Sequence, residues 1–368
     1  MKIDGTPYRA VWVDEGDGWS VRVIDQTKLP WTLEFLRLTT LRQAAHAISS
    51  MQIRGAPLIG AVAAYGLALA LRDDPATDAM ERAAAQLAAT RPTAVNLRWA
   101  LNRMLTRLRN TATGQRAATA YAEAAAIAEE DVAQNAAIGR HGQALIQQAA
   151  DAKAGAKPGE PVNVLTHCNA GWLATVDWGT ALAPIYAAHD AGLPVHVWVD
   201  ETRPRNQGAA LTAWELGKHG VPHTVISDNA GGHLMQHGRV DLAIVGADRV
   251  TRTGDAANKI GTYLKALAAH DNRVPFWVAV PSSTIDWTVS DGVREIPIEE
   301  RDASEVTTVT GRGLDGKVAT VRVTPTSSPA ANPAFDVTPA RLLTGLITER
   351  GRCEATVESL QAMFPDHA

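Results

Sequence analysis

The most constraining feature of the sequence is a regular alternation of apolar runs and helical segments in its second half. Five short apolar runs follow one another between residues 161 and 280, namely VNVLTH, VHVWVD, HTVIS, LAIVGA and PFWVAV. A single segment with helical periodicity separates each run from the next. This pattern is typical of βαβ units, whose right-handed crossovers place the strands in a parallel sheet. The second half is therefore predicted to be an α/β domain with a doubly wound parallel sheet.

The first half has a different pattern. Two runs rich in β-branched and aromatic residues, YRAVWVD and WSVRVID, flank Gly16-Asp17-Gly18 and predict a small β-hairpin. From residue 39 to residue 150, Ala, Leu, Arg and Glu dominate, which predicts a mainly helical domain. Small, charged and Gly/Pro residues then cluster between Asp151 and Pro161. We place a domain boundary there, giving a helical domain of residues 1–150 and an α/β domain of residues 151–368.

Two segments near the end of the sequence depart from the alternation. Residues 307–331 are rich in Gly, Ser, Thr and Pro, which predicts a loop or small ribbon inserted in the second domain. The following stretch, VTPARLLTGLITERG, predicts a closing helix with Pro339 in its first turn and Gly351 just past its end.

Charge and composition exclude several classes of function. The net charge of -4 provides no basic surface for binding nucleic acid through its phosphates. Two cysteines in 368 residues favour a reducing, cytoplasmic compartment over a disulfide framework. The N-terminus lacks the apolar core of a secretory signal, and the apolar stretch LIGAVAAYGLALAL is shorter than the roughly 20 residues that span a bilayer. We therefore expect no nucleic-acid partner and no membrane segment.

Polar or reactive residues follow each apolar run, at the sheet edge where ligands of such folds bind. These residues are Cys168, Asp200, Asp228, Asp248 and Ser282. Asp200 and Ser282 have an equally good explanation as helix caps, and a single cysteine is more often a small buried residue than a reactive one. Asp248 is different because a carboxylate at the end of a deeply apolar strand needs a partner or a shifted pKa. It is predicted to be functional.

Basic residues precede three predicted helices. Arg54 and Gly55 stand just before a helix with Pro57 in its first turn, Arg91 stands before Pro92 and Thr93, and Lys259 opens the last of the three. Free N–H groups at a helix start beside a cation suit a phosphate dianion. The three together predict an anionic small substrate between the domains.

Motifs for metals and nucleotides are missing from the sequence. Neither G-x-x-x-x-G-K-[ST] nor G-x-G-x-x-G follows the first strand. His233 and His237 have the four-residue spacing of a metal pair but lack the glutamate of H-E-x-x-H and an evident third ligand. No metal and no other cofactor is predicted.

Several motifs together resemble the methylthioribose-1-phosphate isomerase family, whose superfamily also contains ribose-1,5-bisphosphate isomerases and regulatory subunits of the exchange factor for initiation factor 2. The resemblance covers nearly the whole chain, and its motifs are MQIRGAPLIG, TRPTAVNLRWA, LTHCNAGWLAT, VDETRPRNQGAALTAWEL, IVGADRVTRTGDAANKIGTYLKAL and NPAFDVTP. It implies a helical N-terminal domain on a Rossmann-like α/β domain, assembled as a homodimer. It also implies an aldose-ketose isomerisation of 5-methylthioribose 1-phosphate. Cys168 and Asp248 would be catalytic. The substrate would be bound by Arg54, Gly55, Ala56, Arg91, Gln207, Asn258 and Lys259.

The chemistry accounts for an acid and a thiol. A sugar with phosphate on its anomeric carbon has no free anomeric hydroxyl, so an acid must assist the break of the ring C–O bond. Asp248, kept protonated by apolar surroundings, would donate to the ring oxygen. Cys168 would act on the hydrogen that moves from C2 to C1, either as a thiolate that removes a proton or by stabilising a direct hydride shift. The sequence leaves both routes open.

Two alternative functions follow from the same superfamily. A ribose-1,5-bisphosphate isomerase would share the Cys and Asp pair but would need a second anion site. A noncatalytic regulatory subunit would not need a thiol and an acid at strand ends together with three cations. Two departures from the family pattern are Asn206 before Gln207 and the length of the segment 307–331.

Overall fold

The computed structural model describes residues 1–91, 94–156 and 159–367, and the fold it shows is mixed α/β. The N-terminal region contains five short strands and five helices. The strands are β1 (Lys2–Ile3), β2 (Thr6–Pro7), β3 (Val11–Val13), β4 (Val21–Ile24) and β5 (Phe35–Leu38). The helices are α1 (Leu41–Ser49), α2 (Ala56–Asp73), α3 (Thr77–Ala88), α4 (Val95–Arg109) and α5 (Arg116–Ala156).

The predicted hairpin and helical region are both present. β3 and β4 pair antiparallel on either side of Gly16-Asp17-Gly18, and β5 adds a third strand to this sheet. The side chain of Asp17 closes the turn by accepting from the backbone N–H groups of Trp19 and Ser20, each at 2.9 Å. Helix α5 continues to Ala156, past residue 150, because Ala and Lys extend its favourable helical composition. The domain boundary itself stays a prediction.

The rest of the chain supplies thirteen strands and seven helices among the described residues. The strands are β6 (Val162–Thr166), β7 (Val195–Asp200), β8 (His223–Ile226), β9 (Leu242–Val245), β10 (Arg249–Thr251), β11 (Ala256–Lys259), β12 (Phe276–Ala279), β13 (Ile285–Asp286), β14 (Thr308–Arg312), β15 (Val318–Arg322), β16 (Phe335–Thr338), β17 (Gly345–Thr348) and β18 (Gly351–Cys353). The helices are α6 (Ala183–Asp190), α7 (Ala213–His219), α8 (Ala230–Gln236), α9 (Thr262–Asp271), α10 (Gly292–Glu295), α11 (Ser304–Thr307) and α12 (Val357–Met363).

The main sheet has the order β18-β17-β12-β9-β6-β7-β8. All neighbours are parallel except β17 and β18, and β6, β7, β8, β9 and β12 are the five predicted strands. Counted along the chain, the six parallel strands lie in the order 3-2-1-4-5-6 of a doubly wound sheet, which reverses direction between its first and fourth strands. Here the reversal falls between β6 and β9, so their carboxyl ends border one crevice.

Helices cover both faces of this sheet. On one face α6 packs against α5, and on the other α8 packs against α9. The larger apolar core joins the helical region to the first face through residues such as Leu67 and Ile185, while a second core around Phe276 lies on the other face. Helix α2 is long and apolar enough to cross a membrane by length and composition, but 78% of that stretch is buried inside the protein. Its composition therefore reflects a core position.

The predicted closing helix is wrong. The chain after Thr338 makes only a short 3-10 turn at Ala340–Leu342 before β17 and β18. All four residues of β17 are buried, and β17 adds to the parallel sheet beside β12. A short apolar run of this kind fits a buried strand as well as a helix. At Gly345 the strand pairs so closely with β18 that only glycine fits, because a Cβ there would lie 2.3 Å from the carbonyl oxygen of Cys353.

A small second sheet and a ribbon complete the fold. The second sheet has the order β13-β10-β11-β16 and follows directly from β9, so it stands beside the carboxyl ends of the main sheet. The sequence pattern did not predict it. The ribbon, β14 paired with β15, confirms the expected insertion within residues 307–331. Both additions flank the crevice at the sheet reversal.

Candidate active site

The turn after β6 holds Cys168 in a constrained position. The backbone of Cys168 has a φ of 65°, a value that residues other than glycine rarely adopt. Two hydroxyls fix the peptide groups around it, since its N–H donates to Thr202 Oγ1 at 2.8 Å and its carbonyl accepts from Thr212 Oγ1 at 2.7 Å. The residue is 9% exposed. Burial raises the pKa of the thiol, while the charges of Arg54 and Lys259 oppose this shift.

The turn after β9 carries Asp248 alongside the Cys168 turn. Gly246 allows this approach, because a Cβ on Gly246 would lie 2.6 Å from the Cβ of Ala170. The Asp248 N–H donates to the carbonyl of Ala257 at 2.9 Å, which ties the turn to the small second sheet. Burial raises the pKa of the Asp248 carboxyl against the lowering effect of nearby cations, Lys259 foremost. Burial at the end of the apolar strand thus shifts this carboxyl toward its protonated form.

The start of α2 closes the crevice from the helical region. Arg54 donates through one guanidinium nitrogen to Asn169 Oδ1 and through the other to the Asn169 carbonyl, the latter at 2.7 Å. Gly55 follows with a φ of 100° and lies against Ala174, and Ala56 is the first residue of α2. A helix of 18 residues, whose start has no side-chain cap among the described residues, thus points the partial positive charge of its N-terminus at the Cys168 turn.

Asn258 and Lys259 belong to a strand, so the predicted position of Lys259 at a helix start is wrong. Both belong to β11, and α9 begins only at Thr262. The Lys259 ammonium donates to the carbonyl of Ala334 at 2.9 Å and lies 4.6 Å from the centre of the Phe335 ring. Burial lowers the pKa of Lys259, while Cys168 and Asp248 oppose that shift. The Asn258 amide donates to Thr262 Oγ1 at 3.0 Å.

Arg91 and Gln207 complete the predicted set from the two sides of the crevice. Arg91 donates to Glu299 Oε2 at 3.1 Å, and helix α4 begins at Val95. Its predicted start at Pro92 and Thr93 lies outside the described residues. Gln207 is 4% exposed, and its Oε1 has no hydrogen-bond partner in the described parts of the chain. It stands at the start of a single π-helical turn, Gly208–Thr212, an irregularity that is frequent at functional sites.

Seven of the nine predicted residues thus line two adjoining cavities of one crevice. The smaller cavity is lined by both proposed catalytic residues and four of the proposed binding residues, namely Cys168, Asp248, Arg54, Gly55, Ala56 and Asn258. The larger, of about 460 Å³, is lined by Gln207 and shares Arg54 with the first. Arg91 and Lys259 line neither cavity, yet both influence the pKa of Asp248.

Some side chains that build the site carried no signal in the sequence. Glu215 is a buried carboxyl that contacts the Cys168 turn from α7, and Glu299 is the partner of Arg91. Both lie in ordinary helical or loop patterns, so only the tertiary structure brings them to the crevice. The Cys168 turn is fixed by Thr202 and Thr212, which come from another loop and the π-helical turn.

A group that offers metal ligands lies behind the Cys168 turn. Ligand atoms of His167, Asp200 and Asp228 lie within 4.8 Å of one another. The Asp200 carboxylate is already paired with His167 Nδ1 at 3.0 Å and lies 3.4 Å from the Lys265 ammonium. The Asp200 carboxylate therefore already has a cation beside it, and Asp228 accepts from the N–H groups of Thr202 and Arg203.

These features define an α/β protein with a helical N-terminal region and a cation-lined crevice at the reversal of its sheet. A sequence model described as the initiation factor 2 subunit family matches residues 52–355. A protein of Acidiphilium cryptum (strain JF-5) named methylthioribose-1-phosphate isomerase is 69% identical over 368 residues, which cover 100% of this chain and 99% of that protein. One of Gluconobacter oxydans (strain 621H) with the same name is 66% identical over 366 residues, covering 100% and 99%.

Solved structures agree with these relatives. The crystal structure of 5-methylthioribose 1-phosphate isomerase from Pyrococcus horikoshii OT3 matches with a TM-score of 0.82 and 39% identity, over 98% of this chain and 97% of that one. A structure described as translation initiation factor eIF-2B, subunit delta, from A. fulgidus matches with a TM-score of 0.78 and 38% identity, over 97% and 99%. The chain belongs to the initiation factor 2 subunit family and, within it, to the methylthioribose-1-phosphate isomerases.

Proposed function

We propose that the protein is an aldose-ketose isomerase that converts 5-methylthioribose 1-phosphate to 5-methylthioribulose 1-phosphate. The observation that carries this proposal is the meeting of Cys168 and Asp248 in one cavity beside Arg54 and the N-terminus of α2. A thiol, a carboxyl with a raised pKa and a phosphate-binding helix start are the groups that the reaction needs. The names of the relatives support the same activity.

In the proposed mechanism Asp248 acts as the acid. Its proton goes to the ring oxygen as the bond from that oxygen to C1 breaks, which leaves C1 electron-poor beside the phosphate oxygen. The hydrogen on C2 then moves to C1, and as the ketone forms the C2 hydroxyl gives its proton to the Asp248 carboxylate left by the first step, which restores the acid. The phosphate and the neighbouring hydroxyls are proposed to be bound by Arg54, Gly55, Ala56, Arg91, Asn258 and Lys259. Gln207 is proposed to hold the sugar through its Oε1, which has no partner among the residues that the structure describes.

The role of Cys168 is decided by an isotope experiment on substrate labelled with deuterium at C2. If a Cys168 thiolate removes the proton, deuterium is exchanged with solvent before C1 is protonated. If hydride shifts directly, the product keeps all of the deuterium at C1. Mass spectrometry of the product formed in ordinary water separates the two outcomes.

A ribose-1,5-bisphosphate isomerase is the second candidate, and the larger cavity argues against it. The apolar lining of this larger cavity includes Leu29, Trp31 and Met51, which suit a methylthio group. Besides Arg54, which it shares with the smaller cavity, this cavity is lined by the cation Arg205, which is paired with Glu305 at 2.8 Å and would have to leave that partner to bind a second phosphate.

Turnover on the two sugars tests the choice directly. We expect the kcat/KM for 5-methylthioribose 1-phosphate to exceed that for ribose 1,5-bisphosphate, with appearance of the ketose as the readout. Higher kcat/KM on the bisphosphate would refute the substrate assignment. Turnover of neither sugar by folded protein would favour a noncatalytic subunit.

We also propose a cytoplasmic homodimer whose domains comprise residues 1–150 and 151–368. The family resemblance supports the dimer, and the two unpaired cysteines, Cys168 and Cys353, fit a reducing compartment. The mass of the protein in solution by light scattering tests the dimer. A monomeric mass of 39.1 kDa would refute it.

A further inference from the structure

A buried carboxyl on α7, Glu215, lies at the centre of the turn that follows Cys168. The residue is completely buried. Its Oε1 accepts from Asn169 Nδ2 at 2.5 Å, and its Oε2 accepts from the N–H of Leu173 at 3.3 Å. Gly171 lies between these two contacts, where a Cβ would be 1.7 Å from Oε1. The turn therefore wraps around this carboxyl so closely that no side chain fits at residue 171.

The contacts continue from Glu215 to the crevice through one amide. Asn169 directs its Nδ2 to Glu215 and to Thr212 Oγ1, at 2.5 and 3.2 Å. Since both amide hydrogens point that way, the Oδ1 atom is turned toward Arg54 and accepts from its guanidinium. The Asn169 carbonyl accepts from the second guanidinium nitrogen at 2.7 Å. Arg54 lines both cavities of the crevice.

We propose that Glu215 is a positioning residue which, through Asn169, fixes the direction in which Arg54 presents its guanidinium to the phosphate of the substrate. This inference rests on the proposed function for the identity of the anion. Glu215 does not touch the reacting atoms. Its effect is to orient the Asn169 amide, and the amide in turn holds Arg54 in place before the anion arrives, so less ordering is needed on binding.

Residue 215 is a glutamate, although it is buried, because both of its side-chain oxygens accept hydrogen bonds. Both carboxyl oxygens face N–H donors, so a glutamine would turn its own amide hydrogens toward one of them. The simplest relief is rotation of the Asn169 amide, which would bring Nδ2 instead of Oδ1 toward the Arg54 guanidinium. Burial raises the pKa of Glu215 to about 8 while these donors and Arg54 oppose the shift, so the pattern of two accepting oxygens belongs to the ionised carboxylate and phosphate binding is measured at about pH 9.

Glu215→Gln tests the inference in the full-length protein. We expect the dissociation constant for inorganic phosphate, measured by calorimetry, and the KM to rise about tenfold, the effect of losing one charge-assisted hydrogen bond. kcat should change by less than about threefold, because Arg54 would bind the phosphate equally in the ground and transition states. The Cys168 turn keeps its separate bonds to Thr202 and Thr212.

Two further variants separate positioning from a general loss of structure. Asn169→Ala breaks the same path, so it should raise the phosphate dissociation constant by a similar factor, and adding Glu215→Gln to it should cause little further change. Asp131→Asn is the matched control, because Asp131 is also a buried carboxyl that accepts from a backbone N–H, that of Val176 at 2.7 Å, but has no bond to Asn169 or Arg54. It should leave the phosphate affinity unchanged, whatever its effect on the melting temperature.

The outcomes are distinct from those that test the proposed function. Unchanged phosphate affinity in Glu215→Gln, or in Asn169→Ala should Glu215→Gln not fold, would overturn the inference. A double variant whose effect is the product of the two single effects would overturn it as well. If the wild type binds phosphate but does not isomerise the methylthio sugar, while Glu215→Gln still weakens phosphate binding, the proposed function fails and the assignment of Glu215 stands.

Discussion

The substitution Gly55→Ala tests whether the close approach of α2 to the Cys168 turn is needed for catalysis. A Cβ at residue 55 would lie 2.4 Å from the carbonyl oxygen of Ala174 and 2.5 Å from its Cα. Since Cβ contacts shorter than 3.0 Å essentially do not occur, the two segments must separate by at least about 0.6 Å. The φ of 100° with a ψ of 133° is a backbone conformation that residues other than glycine rarely adopt, and it adds a cost of about 1–3 kcal/mol for alanine.

The expected effects follow from these distances. Backbone strain of about 1–3 kcal/mol and overpacking of about 1–3 kcal/mol should together lower the free energy of unfolding by about 2–6 kcal/mol. The displaced helix start carries Arg54 and the N–H groups proposed to bind phosphate. Displacement of catalytic geometry by close to 1 Å costs on the order of 10²-fold in rate, so kcat/KM should fall by about that factor or somewhat less.

The assay compares kcat/KM and urea unfolding of Gly55→Ala with those of Gly18→Ala. Gly18 also has a positive φ, of 72°, but a Cβ there would meet no atom within 4 Å. It lies in the N-terminal hairpin, so this control should show the backbone cost alone and keep full activity. If folded Gly55→Ala has a kcat/KM within about threefold of the control, the close approach is not needed, and the proposed role of the α2 start is wrong.

Three other substitutions test the reacting pair and a buried carboxyl. Asp248→Asn should lower kcat by about 10²–10⁴-fold with little change in substrate affinity, as expected for loss of a general acid, and parent activity would return Asp248 to a structural role. Cys168→Ser should lower kcat by at least about 10²-fold in the same assay, and full activity would mean that the thiol only fills space. Burial raises the pKa of Asp131 to about 7, so this carboxyl binds its proton more tightly in the folded protein than in the unfolded chain. The stability that this difference contributes is complete below about pH 4 and is lost as the pH rises to about 7. Urea unfolding of the wild type and Asp131→Asn across this range should show a difference in slope of up to about 1.4 kcal/mol per pH unit, and parallel curves would contradict the shift.

The sequence predicted the strands of the main sheet because buried parallel strands leave continuous apolar runs. It also predicted that residues following those runs would share one edge. It did not predict that the Cys168 and Asp248 turns would touch, because this depends on β6 and β9 being neighbours, and strand order is set by tertiary packing. The same limit explains β17, whose run GLIT is too short for its periodicity to separate a strand from a helix.

The sequence pattern could not predict residues that act on the site through other residues. Arg54 stood out as a cation before a helix with proline in its first turn. Glu215 looked like one polar residue of an amphipathic helix, since nothing local distinguishes a buried glutamate from a solvated one. Glu299 was likewise silent, although its ion pair with Arg91 at 3.1 Å changes the charge available to a phosphate. Such contacts join segments far apart in the chain, and local spacing carries no information about them.

The partners of the three cations determine how substrate binding would affect the acid. Arg54 is held by an amide and a carbonyl, and Lys259 by a carbonyl and an aromatic ring, so their charges are not cancelled by these contacts. Only Arg91 among the three is paired with a carboxylate in the described structure. All three cations lower the pKa of Asp248 against the effect of burial. Because a phosphate dianion would neutralise them, binding of the proposed substrate should raise this pKa further and keep Asp248 protonated at the moment when the ring oxygen needs a proton.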